Sequence, residues 1–309
     1  MTSRIVALAG GVGAARFLAG LAPLVPPRDL MIVVNTGDDT ELHGLHISPD
    51  LDTVTYTLAG VAHPQQGWGL GGDTFACLES LSRLGAPDWF RLGDRDLATH
   101  LYRTSRLRAG APLSRVTQEI ALALGVRQTI LPMSDDEVKT RLRTPAGELE
   151  FQEYFVKRRH RDTVKEVRYR GASRARPAPR VLAALRSARG VVVCPSNPVL
   201  SIGPILAIPG VRLALRQSRG RVVAVSPLVA GRALRGPADR LMRSLGLRAD
   251  AAGVAELYRD FLDVLVMDHA DRGLAPDVRR LGVEPVITDT IMDTALRRRA
   301  LARAVLELL

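Results

Sequence analysis

The sequence predicts an α/β fold of Rossmann-like type: a mostly parallel central sheet with helices on both faces and a smaller inserted α+β subdomain. Three observations lead there. Short, β-branched, apolar runs recur at 5–9, 30–34, 191–194, 222–225, 264–267 and 285–288. They lack a polar face, as strands covered on both sides do. Helical stretches separate most of them, the alternation that builds a parallel sheet. Small and polar residues gather just beyond the runs, in Gly10-Gly11-Val12-Gly13, Asn35-Thr36-Gly37-Asp38-Asp39, Pro195-Ser196-Asn197-Pro198, Ser226-Pro227 and Asp268-His269. Ligands of open α/β sheets bind outside the carboxyl ends of strands. One edge of the sheet is therefore expected to carry a cleft.

Taken in order, the first run feeds the glycine loop and a helix over 16–24. The second ends in the NTGDD loop, and Asp52 is placed at the start of a helix over 53–59. Helices between 75 and 125 are expected to cover the sheet. Segment 128–132 is strand-like. Segments 138–144 and 148–156 flank Pro145-Ala146-Gly147, a turn signal, and read as a hairpin. Residues 75–180 are assigned to an insertion within one α/β domain spanning 1–309. The uncharged stretch 190–211 has 22 residues, but Pro195, Pro198, Pro204 and Pro209 would break a spanning helix. It is read as a buried strand and a folded loop, with no signal peptide ahead and no membrane partner.

Composition narrows the function. Of 309 residues, 46% are apolar, ample for a core, and this excludes a disordered chain. Two cysteines, Cys77 and Cys194, exclude a disulfide framework and a CxxC zinc cluster, and fit a reducing, cytosolic setting. The formal charge is +11, and every basic residue except Lys139, Lys157 and Lys165 is arginine. Residues 157–180 alone carry ten Lys/Arg against Asp162 and Glu166. The excess is therefore local, and a nucleic-acid-coating surface is not expected. The run is either an anion-binding lid or a solvated surface, and with Tyr169 its one aromatic it makes a poor stacking platform.

Several motifs carry chemistry. Gly10, Gly11, Val12 and Gly13 can let backbone approach phosphate at a helix start, or simply make a tight turn. The spacing fits neither the dinucleotide fingerprint nor a Walker loop. Asp38 and Asp39 precede Asp50 and Asp52 by little more than a loop. Two such carboxylates suit Mg²⁺, which keeps waters and shares phosphate oxygens; alternatively they are turn and N-cap residues. His43 and His46 permit a zinc reading without a third ligand. Trp68, set among glycines, offers a flat surface or a core side chain. Ser196, Asn197 and Ser201 can hold phosphate or a base edge, or cap a helix.

Together these segments strongly resemble the 2-phospho-lactate transferases of coenzyme F-420 biosynthesis. The resemblance is carried by LAGGVGAARFLAGL, VVNTGDDTELHGLHISPDLDTVTYTLAG, GWGLGGDTF, RLGDRDLATHLYRT, FQEYFVKRRH, PSNPVLSIGPIL and GRALRGPADRLMRSLG, in order over nearly the whole chain. Ala14 departs from the family's usual glycine, and Arg16 stands where many members have lysine. The resemblance implies a cytoplasmic homodimer that moves a phospho-lactyl or phospho-enolpyruvyl group from a guanosine diphospho-donor to the ribityl hydroxyl of the deazaflavin Fo, releasing GMP. It implies Mg²⁺ on Asp38 and Asp52, with Asp39 or Asp38 able to take a proton. Gly10 to Gly13, Arg16, Ser196, Asn197, Ser201, Arg232 and Arg235 would serve the donor. Trp68, Asp73, Thr74, Asp94 and His100 would lie towards Fo, with Asp96 a further candidate. A non-catalytic nucleotide-sugar-binding regulator with a similar glycine-loop sheet is the competing reading.

Overall fold

A computed structural model describes residues 4–309. Its strands in chain order are β1 (Ile5–Ala9), β2 (Leu30–Val34), β3 (Thr40–Leu42), β4 (Leu45–Ile47), β5 (Thr129–Pro132), β6 (Lys139–Thr144), β7 (Gly147–Glu150), β8 (Glu166–Arg170), β9 (Gly190–Val193), β10 (Arg221–Val225), β11 (Leu228–Val229), β12 (Arg232–Ala233), β13 (Val264–Asp268) and β14 (Glu284–Thr288). Seven of them form one sheet in the order β14-β13-β10-β9-β1-β2-β5, and every neighbouring pair is parallel. The Rossmann-like α/β expectation holds.

Residues of β1 alternate between two cores. Val6 and Leu8 enter one; Ile5, Ala7 and Ala9 enter the other. The second core is covered by helices α1 (Gly11–Leu21), α2 (Pro49–Leu58) and α5 (Leu113–Ala123), together with the C-terminal helix Ala295–Leu306. Helices α3 (Ala76–Arg83) and α4 (Asp96–Arg108) lie between α2 and α5 in the chain. On the first face, Leu142, Leu149, Tyr154 and Val164 bring the small antiparallel sheet β7-β6-β8 into the main core.

Four boundaries differ from the sequence reading. Segment 129–132 pairs with β2 as an edge of the main sheet instead of belonging to the insertion. Its apolar side chains are buried like those of the inner strands. Helix α1 begins at Gly11, directly after the strand, with Gly10 extended. Helix α2 begins at Pro49, so Asp50 and Asp52 both occupy its first turn. Proline favours that opening position and carboxylates suit the positive end of a helix. The second arm of the hairpin stops at Glu150, and residues Glu153–Lys157 form a π-helical turn; β8 supplies the third strand.

Gly20 marks where α1 and the C-terminal helix touch, for a Cβ there would run into the backbone carbonyl of Arg298. Backbone cannot yield as a flexible side chain does. Gly20→Ala is expected to cost about 1–3 kcal/mol, read as a lower midpoint in urea unfolding; an unchanged midpoint would show that the helices part freely.

Candidate active site

The strand order reverses between β1 and β9, with β2 and β5 on one side and β10, β13 and β14 on the other. Loops leaving neighbouring strands there diverge and leave a crevice. A cleft of about 930 Å³ occupies this point. Its floor comes from Gly10 to Gly13 after β1, Asp38 after β2, the first turn of α2, and Pro195 to Asn197 after β9. The glycines are required by neighbouring chain. A Cβ on Gly10 would stand 2.7 Å from both Asp50 Oδ2 and Ser201 Cβ, and one on Gly13 would strike the Pro195 carbonyl. Small residues therefore draw the loops together into one floor.

The centre of that floor is acidic. Asn35, fully buried, donates its side-chain NH₂ to Asp38 Oδ1 at 2.7 Å and to Asp50 Oδ2 at 2.9 Å. Its own oxygen accepts the Gly37 N–H at 2.8 Å, which fixes the amide's direction. Asp38 and Asp50 are 5% and 6% exposed. Among the described residues, no Arg, Lys or His forms an ion pair with either. Burial raises Asp50 from 3.8 to about 7; the Asn35 bond opposes this and the charge of Asp39 adds to it. Burial, then the charges of Asp50 and Asp39, lift Asp38 well above the ordinary carboxylate range. Two buried carboxylates on one amide are short of positive charge.

Asp52 is satisfied differently. Arg103, 2% exposed, grips both its oxygens, with Nη1 donating to Oδ2 at 3.1 Å and Nη2 bonding Oδ1. His100 lies 3.2 Å from Arg103 Nη1 and 3.4 Å from Asp96, which accepts from the Tyr56 hydroxyl at 2.6 Å. Burial still raises Asp52, against the lowering effect of Arg103. The arginine already supplies its countercharge. The carboxylate pair short of a cation is thus Asp38 with Asp50, in place of the expected Asp38 with Asp52. Among the described residues, no group of three His, Cys, Asp or Glu side chains is arranged to hold a metal ion. His46 instead bonds Asp39 at 3.0 Å, which removes the zinc reading.

Arg16 and Arg235 supply positive charge on the cleft wall. Burial, and then the proximity of Arg235 and Arg298, lowers the Arg16 pKa. Arg235 donates to the carbonyls of Gln66 at 3.0 Å and Gln65 at 3.4 Å. Neither guanidinium meets a carboxylate among the described residues, so no ion pair neutralises the charge of either. The buried Ser196 hydroxyl on the same wall has no partner among the described residues. Trp68, Trp89 and Phe90 line the wall as well, as does a stacked Phe151–Phe155 pair with ring centroids 5.3 Å apart.

A family model described as 2-phospho-L-lactate transferase CofD matches residues 5–306. The chain belongs to that family. A phosphoenolpyruvate transferase from Streptomyces griseus is 44% identical, the match covering 99% of this chain and 98% of the relative. A 2-phospho-L-lactate transferase from Methanosarcina mazei is 39% identical over 98% and 99% of the two chains. One from Methanothermobacter thermautotrophicus is 42% identical over 98% and 97%. A crystal structure of a UPF0052-family protein from Bacillus halodurans superposes with a TM-score of 0.65 at 15% identity over 99% of both chains, a likeness of fold.

Other residues named from the CofD-like motifs fall unevenly. Ser201 and His100 line the cleft. Asn197 lines it too, but its oxygen caps the turn Pro198–Ile202 by accepting the Val199 and Leu200 N–H groups, each at 3.0 Å. Asp39 is off the cleft wall; it accepts from Ser48 at 2.7 Å and from His46, securing the β3–β4 hairpin. Asp73, Thr74 and Asp94 also lie off the wall. Asp94 accepts from the Thr74 hydroxyl and the Ala76 N–H, while Asp73 holds the Arg95 and Asp96 N–H groups. Arg232 is exposed in β12, away from the cleft. The basic segment divides: Lys157 and Arg159 face the cleft, whereas Arg158 pairs with Asp162 at 2.6 Å and Arg168 with Glu166 at 2.6 Å. Asn35, Asp50, Tyr56 and Arg103 were missed as site residues. All four stand inside motifs that carry the family resemblance, but the pairing of Arg103 with Asp52 spans 51 residues.

Arg103→Met would leave Asp52 buried without its countercharge. A loss of about 3–5 kcal/mol in urea-unfolding stability is expected; a loss under about 1 kcal/mol would contradict a buried pair.

The Asp50 shift has a definite pH signature. Between about 4 and about 7 the folded metal-free chain holds a proton that the unfolded chain has released. This contribution is complete below the unfolded value and fades as pH rises through the folded one. Melting temperatures measured from pH 5 to 7 should therefore fall more steeply for the unmodified protein than for Asp50→Asn. Equal slopes would contradict the raised Asp50.

Proposed function

We propose that this CofD-family protein transfers a phospho-lactyl or phospho-enolpyruvyl group from a guanosine diphospho-donor to Fo. The product is F-420-0 or its dehydro form, with GMP released. The observation that carries the proposal is one cleft holding a cation-poor carboxylate pair, two arginines free of carboxylates and aromatic walls. The names of the relatives support the same reading.

Bond making and breaking balance simply. The ribityl oxygen bonds to the phosphorus bearing the lactyl or enolpyruvyl ester. The bond from that phosphorus to the bridging oxygen breaks, and GMP leaves with the electron pair. The hydroxyl proton passes to a nearby base or to water. Phosphoryl transfer depends mainly on positioning and charge neutralisation.

The residues fit Mg²⁺. Asp38 and Asp50 offer hard oxygens, lack a cation and are buried beside the cleft, and one or two carboxylates with waters and phosphate oxygens make a usual magnesium site. Mg²⁺ bound there would neutralise charge on the phosphates and on the departing nucleotide. Arg16 and Arg235 would bind phosphate or carboxylate oxygens in forked hydrogen bonds. Ser196 would donate its unpartnered hydroxyl. Trp68 and the Phe151–Phe155 stack would flank flat rings and exclude water from the reacting phosphorus. A non-catalytic nucleotide-sugar binder has no evident need for a cation-poor carboxylate pair.

The test is to incubate purified protein with Fo, Mg²⁺ and each donor separately, and to weigh the products by mass spectrometry. F-420-0 or its dehydro form, with GMP, is expected from at least one donor; neither product from either donor overturns the proposal. Asp38→Asn and Asp50→Asn should each lower kcat roughly 100-fold or more. Full activity in both would remove the carboxylate pair from the mechanism.

A further inference from the structure

The inserted sheet makes an unusual contact with the acidic loop. Three successive carbonyls each receive a donor from the segment 139–152. The Thr140 N–H donates to Gly37 O at 2.5 Å, Gln152 Nε2 to Asp38 O at 2.9 Å, and Lys139 Nζ to Asp39 O at 2.9 Å. Gly37 fits this groove because a Cβ there would stand 2.7 Å from Thr140 Oγ1 and 2.9 Å from Pro204 Cβ. Gln152 is 4% exposed and reaches Asp38 across 114 residues of sequence. The Asp38 carboxylate is held separately by Asn35, on the side that faces Asp50.

We infer that Gln152, itself on the cleft wall, is a positioning residue for the acidic centre: it clamps the Asp38 main chain, so that the carboxylate stays beside Asp50 in a geometry that accepts a divalent cation. The inference rests on the magnesium reading above. A carboxylate has its own torsional freedom and its backbone can rotate with it. Asn35 limits the first and Gln152 limits the second. Removing the Gln152 donor leaves Asp38 O buried without that bond, and the peptide can then turn to find another. The two carboxylates would lose their common aim, and metal affinity would fall even though no ligand had been removed.

Mn²⁺ serves as the probe, its free fraction followed by electron paramagnetic resonance in the absence of substrate. Gln152→Leu should raise the Mn²⁺ Kd about tenfold or more, and Gln152→Met, unbranched, should do the same. Leu149→Ala truncates a core side chain of the same sheet without touching Asp38. It should lower Tm yet leave the Kd within twofold. The inference fails if either folded Gln152 variant binds Mn²⁺ within twofold of the unmodified protein, or if Leu149→Ala weakens binding as much as Gln152→Leu. An unmodified protein that binds no Mn²⁺ overturns the magnesium reading and this inference together. Binding that is indifferent to Gln152 overturns the inference alone.

Discussion

Asp38 and Asp50 share a single neutral donor, the amide of Asn35, inside a protein with 43 basic side chains. Burying charge without a countercharge is expensive, and a group in that position keeps its proton or takes a cation. Arg103 shows the alternative two residues further along the helix, where Asp52 is closed off by a bidentate pair. The chain therefore leaves one carboxylate pair open and completes the next. Much of the surrounding structure supports that difference. Gly10 permits Asp50 to approach, Pro49 starts the helix that presents it, and Gln152 and Lys139 hold the loop carrying Asp38.

The sheet explains why these pieces meet where they do. Strands β1 and β9 are neighbours in space although about 180 residues separate them in the chain, and their loops part at the reversal of strand order. The inserted sheet then spans the gap. Its β6 and the residue Gln152 bind the loop after β2, while Tyr169 on β8 donates to Val199 O at 2.6 Å in the loop after β9. Gly203 lies directly under that tyrosine. One small sheet thus braces both banks of the cleft, and its π-helical turn lends Phe155, Val156 and Lys157 to the wall.

Charge follows the same division of labour. Most arginines of the inserted sheet are paired across strands or turns, as Arg141 is with Glu150 at 2.8 Å. Exposed pairs of that kind contribute little to stability. Several cleft arginines have no such partner among the described residues, and two of them, Arg16 and Arg235, come together from the first and the later half of the chain, as the proposed anionic donor would need. The overall charge of +11 is therefore a poor guide to the ligand. A few unpaired guanidiniums near two open carboxylates suit the proposed small polyanion and metal ion better than they would a nucleic acid.

The sequence by itself determined the strands of the central sheet, because buried parallel strands must be apolar on both faces, and it marked the strand ends where small and polar residues gather. It also marked the acidic motif, since four aspartates so close together are conspicuous in one dimension. Only the tertiary structure decided which of them are open. Asp50 and Asp52 occupy the same helical turn, and their local sequence does not separate them; Arg103 and Asn35, reaching from elsewhere in the chain, do. The same reason removed Asp73, Thr74 and Asp94 from the cleft, where loop hydrogen bonds consume their polar groups. It also brought in Gln152, which no spacing rule joins to Asp38. Countercharge and hydrogen-bond partners are set by contacts between separate elements, 51 residues apart for Arg103 with Asp52 and 114 for Gln152 with Asp38, and a linear pattern cannot encode which partner arrives.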